Sequence, residues 1–252
     1  MAELERRACG PTCPLWGGEP GGCLRRIGVF SELAVTQLQE LRRSALPGTA
    51  TAGQVLFLAG EPARRILLVV RGLVKVYRSD ARGREQITRL LKSGDHFGAA
   101  YLFSAEMLPA SAQALSEAQV CLVERETVES LVATDTNLAG RIIAAMGSEL
   151  RRVEERLARL ALADATQRLA GLLVDLAGEI GRPAGPDRVH LSLPVSRPDL
   201  AALVGTATET VSRRLGEMAV GGLVTLHGHR GLTIERLADL AEVAAAARLG
   251  AC

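Results

Sequence analysis

The chain has 252 residues, a length that accommodates two domains with a hydrophobic core each. Hydrophobic residues make up 48% of the sequence and charged residues 23%, a balance that indicates a globular protein and excludes a disordered one. The formal net charge is only +2, so any surface that attracts nucleic acid must be local. The sequence has neither an apolar run of transmembrane length nor the apolar core of a signal peptide, so we expect a cytoplasmic protein without a membrane partner.

The first 28 residues form a segment rich in cysteine and glycine. Cys9, Cys13 and Cys23 lie in it, whereas Cys121 and Cys252 follow much later in the chain. In a reducing compartment, cysteines in such a pattern are metal ligands or redox groups rather than a disulfide framework. We expect no role for Cys252, which stands at the end of the sequence.

A helix followed by a series of short strands is predicted between residues 29 and 136. Leu33, Leu38 and Leu41 have helical spacing within 31–43. The next stretch is divided by glycines at intervals of roughly ten residues, which is typical of an all-β sandwich or barrel. The predicted strands are 55–58, 66–70, 73–77, 86–91, 112–114 and 118–123. The last of these strands contains Cys121.

A long helix is predicted over residues 137–163, because apolar residues recur there at alternating spacings of three and four. The stripe consists of Ile143, Met146, Leu150, Val153, Leu157 and Leu160. Charged residues flank it on both sides, as in a two-stranded coiled coil. The alternative is a helix buried against its own β domain, but the narrowness of the stripe favours a partner helix. We therefore predict a parallel homodimer.

Residues 164–180 predict a further helix that Asp164 can cap, and the glycines and prolines of 181–187 predict a linker after it. Two short helices joined by a glycine turn are then predicted between residues 195 and 218. Ser196 is a candidate cap for the first of them, and Gly205 breaks it. Thr206 starts the second, with Glu209 three residues on in capping-box spacing.

The second of these helices has one polar and one apolar face. The polar face carries Thr208, Glu209, Ser212 and Arg213, and the apolar face carries Ala207, Val211, Leu215 and Met218, which can pack on Leu200, Leu203 and Val204. Arg213 suits the O6 and N7 acceptors of guanine, and Glu209 suits the N4 donor of cytosine. A helix pair of this kind is also a common packing motif, in which Glu209 is only a capping carboxylate.

Short strands at 223–225 and 232–234 flank a turn that contains His227 and His229. These histidines are interpreted as phosphate contacts or plain turn residues rather than metal ligands. A helix pair followed by such a β-hairpin predicts a winged helix-turn-helix, whose second helix enters the major groove of double-stranded DNA. After residue 237 the alanine-rich end predicts a helix with a frayed tail.

The segment TATETVSRRLGEM closely resembles the recognition helix of the CRP/FNR family of bacterial transcription regulators. The resemblance runs from about Leu33 to Glu235, and it implies an α+β protein with a β-roll that resembles a cyclic-nucleotide-binding domain, a long dimerisation helix and a C-terminal winged helix-turn-helix. The corresponding segments are 1–28 (cysteine-rich), 29–136 (β-roll), 137–163 (dimerisation helix), 164–240 (DNA-binding domain) and 241–252 (tail).

The family's nucleotide-binding residues do not carry over to this sequence. Members that bind cyclic nucleotide have an acidic residue soon after the GD-FG segment and an Arg-Ser pair shortly after that. Here Ala99 and Ala100 stand where the carboxylate would be, and no arginine lies between Arg89 and Arg125. Because a buried phosphate without a cation or an N–H nest is costly, we expect that cyclic AMP is not the effector.

The cysteines offer another effector, because four thiolates are the complement of a [4Fe–4S] cluster. The segment ASAQALSEAQVCLVERETV is similar to the stretch that holds the distant fourth ligand in FNR-type oxygen sensors, which also keep three cysteines near the N-terminus. The resemblance implies Cys9, Cys13, Cys23 and Cys121 as ligands. The intervals between the first three are longer than in the usual pattern. Zinc, a dithiol switch, a haem on His96, and an ordinary core role for Cys121 stay open.

Together these features predict a homodimeric transcription regulator that binds a palindromic promoter site, contacts RNA polymerase and responds to oxygen or another oxidant. A two-fold axis along the long helix predicts half-sites one helical turn apart. The rival is a regulator of this type without the cluster, constitutive or responsive to a small ligand. The sequence has no evident nucleophile–base pair, phosphate loop or metal-hydrolase spacing, so we do not expect an enzyme.

Overall fold

The computed structural model describes residues 22–103, 107–228 and 230–246. The chain divides into two compact units, Met1–Leu150 and Arg151–Cys252. Within the described ranges, no helix has both the length and the apolar character that crossing a membrane requires.

The first unit is built on short antiparallel strands in two four-stranded sheets. The strands are β1 (Leu46–Ala50), β2 (Val55–Phe57), β3 (Arg65–Arg71), β4 (Val74–Ser79), β5 (Glu85–Leu91), β6 (His96–Phe97), β7 (Ser111–Ala114) and β8 (Ala118–Glu124). One sheet has the order β1-β8-β3-β6 and the other β2-β7-β4-β5. Strands that neighbour each other in a sheet are mostly distant in the sequence, so the chain winds back and forth between the sheets. The predicted β-roll is confirmed.

Side chains of the central strands β3 and β8 alternate between two cores. Leu67, Val69 and Val120 face the core between the sheets. Leu68 and Cys121 face a second core on the outside of their sheet, which we call the helical core. Because β3 is buried on both faces, its sequence is a continuous apolar run rather than an alternating one.

Among the described residues, five helices and a 3₁₀ turn contribute to the helical core. They are α1 (Gly22–Arg25), the turn Gly28–Phe30, α2 (Val35–Ser44), α3 (Ala99–Leu102), α4 (Arg125–Thr134) and the start of α5 (Thr136–Leu162). The short helix α3 follows β6 and contributes Ala99. The predicted boundary between residues 28 and 29 falls inside this packed region, so Cys23 belongs structurally to the roll unit.

Helix α5 begins where Asp135 caps it, since the Asp135 carboxylate accepts from the backbone N–H groups of Asn137 and Leu138. It runs without interruption to Leu162. The predicted long helix over 137–163 is therefore present, and the division between the two compact units falls within it.

In the described residues, the second unit combines the second half of α5 and four further helices with a small sheet. The elements after α5 are α6 (Ala165–Ile180), β9 (Arg182–Pro183), β10 (Val189–Ser192), α7 (Arg197–Val204), α8 (Thr208–Val220), β11 (Val224–His227), β12 (Gly231–Ile234) and α9 (Leu237–Ala245). The sheet has the order β11-β12-β10-β9 and is antiparallel. Asp164 caps α6 as predicted, since its carboxylate accepts from the backbone of Thr166 and Gln167.

Several sequence expectations are corrected here. Strands β1, β6, β9 and β10 were not predicted, and β9 lies in the stretch predicted as a linker. Both β1 and β9 are edge strands that contain proline, which an edge tolerates but which hides the strand pattern in the sequence. The helix predicted after residue 237 is present as α9, and it crosses the domain boundary placed at residue 240.

Candidate DNA interface and cysteine site

The helix pair α7–α8 has the local structure that its sequence predicts. The backbone N–H of Asp199 donates to Ser196 Oγ at the start of α7. Gly205 ends α7 with φ 74° and ψ 50°, a left-handed conformation that favours glycine. Val211, Leu215 and Met218 are buried on the inner face of α8, as expected.

The start of α8 differs from the expectation. The helix begins at Thr208, after Ala207, and no side chain caps it. The N–H groups of Gly205 and Thr206 both donate to the carbonyl oxygen of Ala201, so Thr206 belongs to the end of α7. Thr206 is therefore not the cap, and Ala207 is exposed instead of packing against α7.

The outer face of α8 presents the predicted reading residues. Glu209, Ser212 and Arg213 are exposed, and Thr208 is half-buried at the first turn. The Arg213 side chain is 65% exposed, and its Nε lies 3.9 Å from Glu217 Oε1. Glu217 makes its short contact, 2.7 Å, with Arg214 instead. Arg213 can therefore extend toward a groove without breaking a strong ion pair.

The structure adds a basic residue that the sequence analysis missed. Arg197 occupies the first turn of α7, and its Nη1 is buried with no hydrogen-bond partner among the described residues. Burial lowers the pKa of the Arg197 guanidinium from its ordinary value. The half-buried Arg197 guanidinium puts a positive charge at the start of α7, where an anion would be stabilised. The sequence signal for this residue is its position directly after the predicted N-cap Ser196.

The wing places one of the two predicted turn histidines on a strand. His227 ends β11, and its Nε2 shares a hydrogen bond of 2.9 Å with the Thr233 hydroxyl. His190 Nδ1 lies 3.3 Å from the same hydroxyl. His227 is thus engaged within the sheet rather than being a plain turn residue, and His229 lies outside the described residues.

Two of the four predicted cluster ligands belong to the helical core. Cys23, on α1, is 5% exposed, and Cys121, on β8, is 2% exposed. Both belong to the same cluster of buried side chains, and neither forms a disulfide bond with a described residue. Cys9, Cys13 and Cys252 lie outside the described residues. Within the ranges that the structure covers, no group of three or more His, Cys, Asp or Glu side chains is arranged to hold a metal.

The same core also contains the beginning of helix α5. Leu138 and Ile142 are buried in it. Ile142 is followed directly by Ile143, the first residue of the predicted dimer stripe. Arg141 donates from Nε to the Val29 carbonyl oxygen at 3.2 Å and from Nη1 to Glu32 at 3.1 Å. The segment that follows Cys23 is thereby bonded directly to α5.

The predicted dimer stripe on α5 is solvent-exposed in the single chain. Its exposed fractions run from 40% at Leu160 to 69% at Ile143, with Met146, Leu150, Val153 and Leu157 between these values. A continuous exposed apolar stripe of this kind marks an interaction surface.

The second half of α5 is bonded to the helix-turn-helix. Arg156 donates from Nη2 to the carbonyl oxygen of Leu203, near the end of α7, at 3.0 Å. Burial lowers the pKa of the Arg156 guanidinium, and the neighbouring charge of Arg159 lowers it further. This hydrogen bond therefore links the second half of α5 to the C-terminal end of α7.

The core between the sheets includes small apolar side chains on and just before β7. Ala110, Ala112 and Ala114 are buried in the core between the sheets. The buried cation Lys75 is paired with Glu85 at 2.6 Å. His96, the candidate haem ligand, is half-buried on β6.

Comparisons with known proteins agree with this architecture. Residues 49–135 match the model of the cyclic nucleotide-binding domain, and residues 167–243 match that of the Crp-like helix-turn-helix domain. Over 192 residues the chain is 30% identical to the Fumarate and nitrate reduction regulatory protein of Escherichia coli (strain K12), covering 76% of each sequence. The chain belongs to the CRP/FNR family of transcription regulators.

Other similar proteins show how varied this CRP/FNR family is. The chain is 27% identical over 205 residues to a CRP-like cAMP-activated global transcriptional regulator of Mycobacterium tuberculosis, covering 81% of this chain and 91% of that protein. The structure of FixK2 from Bradyrhizobium japonicum matches with a TM-score of 0.70 and 28% identity, over 79% of this chain and 96% of that one. The protein is thus a DNA-binding regulator of the CRP/FNR type, and its relatives are regulators rather than enzymes.

Proposed function

We propose that this CRP/FNR regulator is a homodimer that senses oxygen or a related oxidant through a [4Fe–4S] cluster held by Cys9, Cys13, Cys23 and Cys121. The observation that carries the proposal is the burial of Cys23 and Cys121, far apart in the sequence, in one core with the start of α5. The relatives include a cAMP-activated regulator and a fumarate and nitrate reduction regulator, so the effector must be argued from the residues.

The two described cysteines fit such a group by their chemistry and their position. Thiolates are the standard ligands of iron–sulfur clusters, and the potential of a cluster depends on its exposure to solvent. Cys23 approaches from α1 and Cys121 from β8, so a shared group would join the N-terminal segment to the roll. The same thiolates also suit zinc, which the experiment must therefore distinguish.

The chemistry that the cluster supplies when bound is an oxidant-sensitive cross-link among the four cysteines. The protein's own residues then transmit its presence. Cys23 holds α1 against the helical core, and the following turn is bonded through Val29 to Arg141 of α5. Loss of the cross-link would loosen the segment that packs on Leu138 and Ile142 and would thereby alter the position of α5.

DNA reading is assigned to the exposed face of α8. Arg213 would contact guanine, Glu209 cytosine, and Ser212 and Thr208 would make neighbouring contacts. By resemblance, the Glu-x-x-Ser-Arg arrangement favours half-sites of the TTGAT or TTGAC kind. Arg197, in the first turn of α7, would hold a backbone phosphate and so fix the register of the helix without reading sequence.

The two reading heads would be joined through the stripe Ile143, Met146, Leu150, Val153, Leu157 and Leu160. Its exposure in the single chain supports a parallel partner helix. A palindromic promoter site with half-sites one turn apart follows, and contact with RNA polymerase is expected there. We expect no response to cyclic AMP, because small apolar residues line the region that would have to pair its phosphate.

Anaerobic reconstitution tests the sensor. The wild type should bind iron and sulfide in equal amounts and show broad visible absorbance that air bleaches. Cys121→Ser should lose both, whereas the matched change Cys252→Ser should retain both. Full iron and sulfide in folded Cys121→Ser would remove Cys121 from the ligand set, and zinc without sulfide in the wild type would replace the cluster with a zinc site.

A further inference from the structure

Helix α5 has two neighbouring rows of side chains: one faces the roll unit, and the other is the exposed apolar stripe, which we call the seam. Leu138 and Ile142 are buried in the helical core, and Glu149, two turns further on, is half-buried on the same side. The seam stripe lies next to this one, because Ile143 and Leu150 each follow a member of the first stripe in the sequence. Residues that face the roll therefore also border the seam.

The heptad register follows from the seam. With Ile143, Leu150 and Leu157 at a positions and Met146, Val153 and Leu160 at d positions, Ile142, Glu149 and Arg156 occupy g, and Gly147, Glu154 and Ala161 occupy e. In a parallel two-stranded coiled coil, each g side chain faces an e side chain of the partner in the next heptad. The facing pairs are therefore residues 142 with 147, 149 with 154, and 156 with 161.

Charges face each other in just one of these three pairs. Glu149 faces the partner subunit's Glu154, and the two-fold axis repeats this contact on the other side of the seam. Glu154 is exposed. Like charges at such positions oppose association, so the seam carries an electrostatic penalty beside its apolar stripe.

An arginine of the roll forms an ion pair with Glu149, one of the two glutamates that repel each other. Arg89 Nε of β5 is 3.0 Å from Glu149 Oε1, and the side chains are 26% and 29% exposed. Arg89 Nη2 also approaches the carbonyl oxygen of His96 on β6, at 3.5 Å. Partial burial of the pair reduces screening by water and salt, so the positive charge acts at short range on the g position.

We propose that Arg89 stabilises the association of α5 with a second copy of the chain. It does so by neutralising Glu149, which faces the partner subunit's Glu154. This inference rests on the proposed homodimer and adds a regulatory contact to its interface. Arg152, three residues after Glu149, belongs to α5 and moves with it, whereas Arg89 belongs to the roll. A shift of β5 away from α5 would expose the repulsion and weaken the dimer, so the roll can control association.

The first test compares the dimer dissociation constants of Arg89→Gln and the wild type by sedimentation at low salt, with the cluster in the same state. Because the contact occurs twice in the dimer, Arg89→Gln should raise the constant about fivefold, and high salt should shrink the difference. The matched control is Arg84→Gln, which removes an arginine paired with Asp80 just before β5 and should leave the constant unchanged.

A second pair of variants separates repulsion from damage to the roll. Glu154→Gln placed in the Arg89→Gln chain should restore the wild-type constant, because Glu149 then faces an uncharged side chain. Glu154→Gln alone leaves the roll untouched and should leave the wild-type constant nearly unchanged, because Arg89 already neutralises Glu149, so it tests the contact even where Arg89→Gln fails to fold.

These outcomes distinguish the inference from the proposal beneath it. A dimeric wild type whose constant is unaffected by Arg89→Gln, or whose dimer Glu154→Gln alone tightens strongly, overturns the role of this contact and leaves the homodimer intact. A wild type that is monomeric at micromolar concentration contradicts the homodimer itself and the contact with it.

Discussion

The Arg141 guanidinium donates to the backbone carbonyl oxygen of Val29 at 3.2 Å, although the two residues are 112 positions apart. The bond ties the segment just after Cys23 to the first turns of α5. Arg141 Nη1 adds a contact with Glu32, and the Arg141 side chain is only 18% exposed. The link between the cysteine-bearing segment and the dimer helix therefore depends on a specific, partly buried contact as well as on apolar packing.

Replacing this arginine should loosen the N-terminal segment. Arg141→Gln removes the charge and shortens the side chain, and loss of hydrogen bonds of a charged group should lower the free energy of unfolding by about 1–3 kcal/mol. Denaturant unfolding measures the change. Arg159→Gln, which removes an exposed contact with Asp175, is the control and should change stability by less than about 1 kcal/mol. Equal effects of the two changes would mean that the Val29 contact adds nothing to stability.

The Arg213→Ala variant tests base reading. Removing a bidentate contact with guanine should weaken binding by about 1–3 kcal/mol at one base step and relax selectivity there. Binding to half-sites substituted at each position in turn measures both effects at fixed salt. Arg214→Ala is the neighbouring control, since Arg214 is half-buried and paired with Glu217. A uniform loss on all sequences would show that Arg213 contacts phosphate only.

For Arg197 we expect the opposite pattern. Arg197→Ala should weaken binding to specific and nonspecific DNA alike, because a phosphate contact carries no sequence information. The dependence of log affinity on log salt should become shallower by about one unit for each phosphate that the variant no longer neutralises. Titrations over a series of salt concentrations measure this slope. An unchanged slope would mean that Arg197 does not bind a phosphate.

The parts of this structure that sequence predicts are those encoded over a few neighbouring residues. The Asp164 cap of α6, the end of α7 at Gly205 and the exposed apolar stripe of α5 all follow from spacings within one or two helical turns. The predicted start of α8 was wrong because closure of α7 uses Thr206, a backbone effect that side-chain spacing does not reveal. The Arg141–Val29 and Arg89–Glu149 contacts join distant segments, so no local pattern could predict them.

The seam also predicts how the dimer responds to air. Val153 is half-exposed at a d position in the single chain, and burial of a valine side chain stabilises by roughly 1.5–3 kcal/mol relative to full exposure. Because five other apolar side chains belong to the same stripe, the two subunits should stay associated without a contribution from the cysteine segment. Air should therefore remove the cluster and weaken DNA binding while leaving much of the protein dimeric.

Sedimentation of the air-exposed protein at micromolar concentration measures this directly, alongside DNA binding on the same sample. Val153→Asp places two carboxylates opposite each other in the seam and should convert the air-exposed protein to monomer, because two desolvated like charges replace an apolar contact. Arg151→Asp introduces a carboxylate beside the seam rather than in it, and that variant should stay largely dimeric. A clean monomer in the air-exposed wild type would mean that seam hydrophobicity is not what holds the subunits together, and Val153→Asp would then add little.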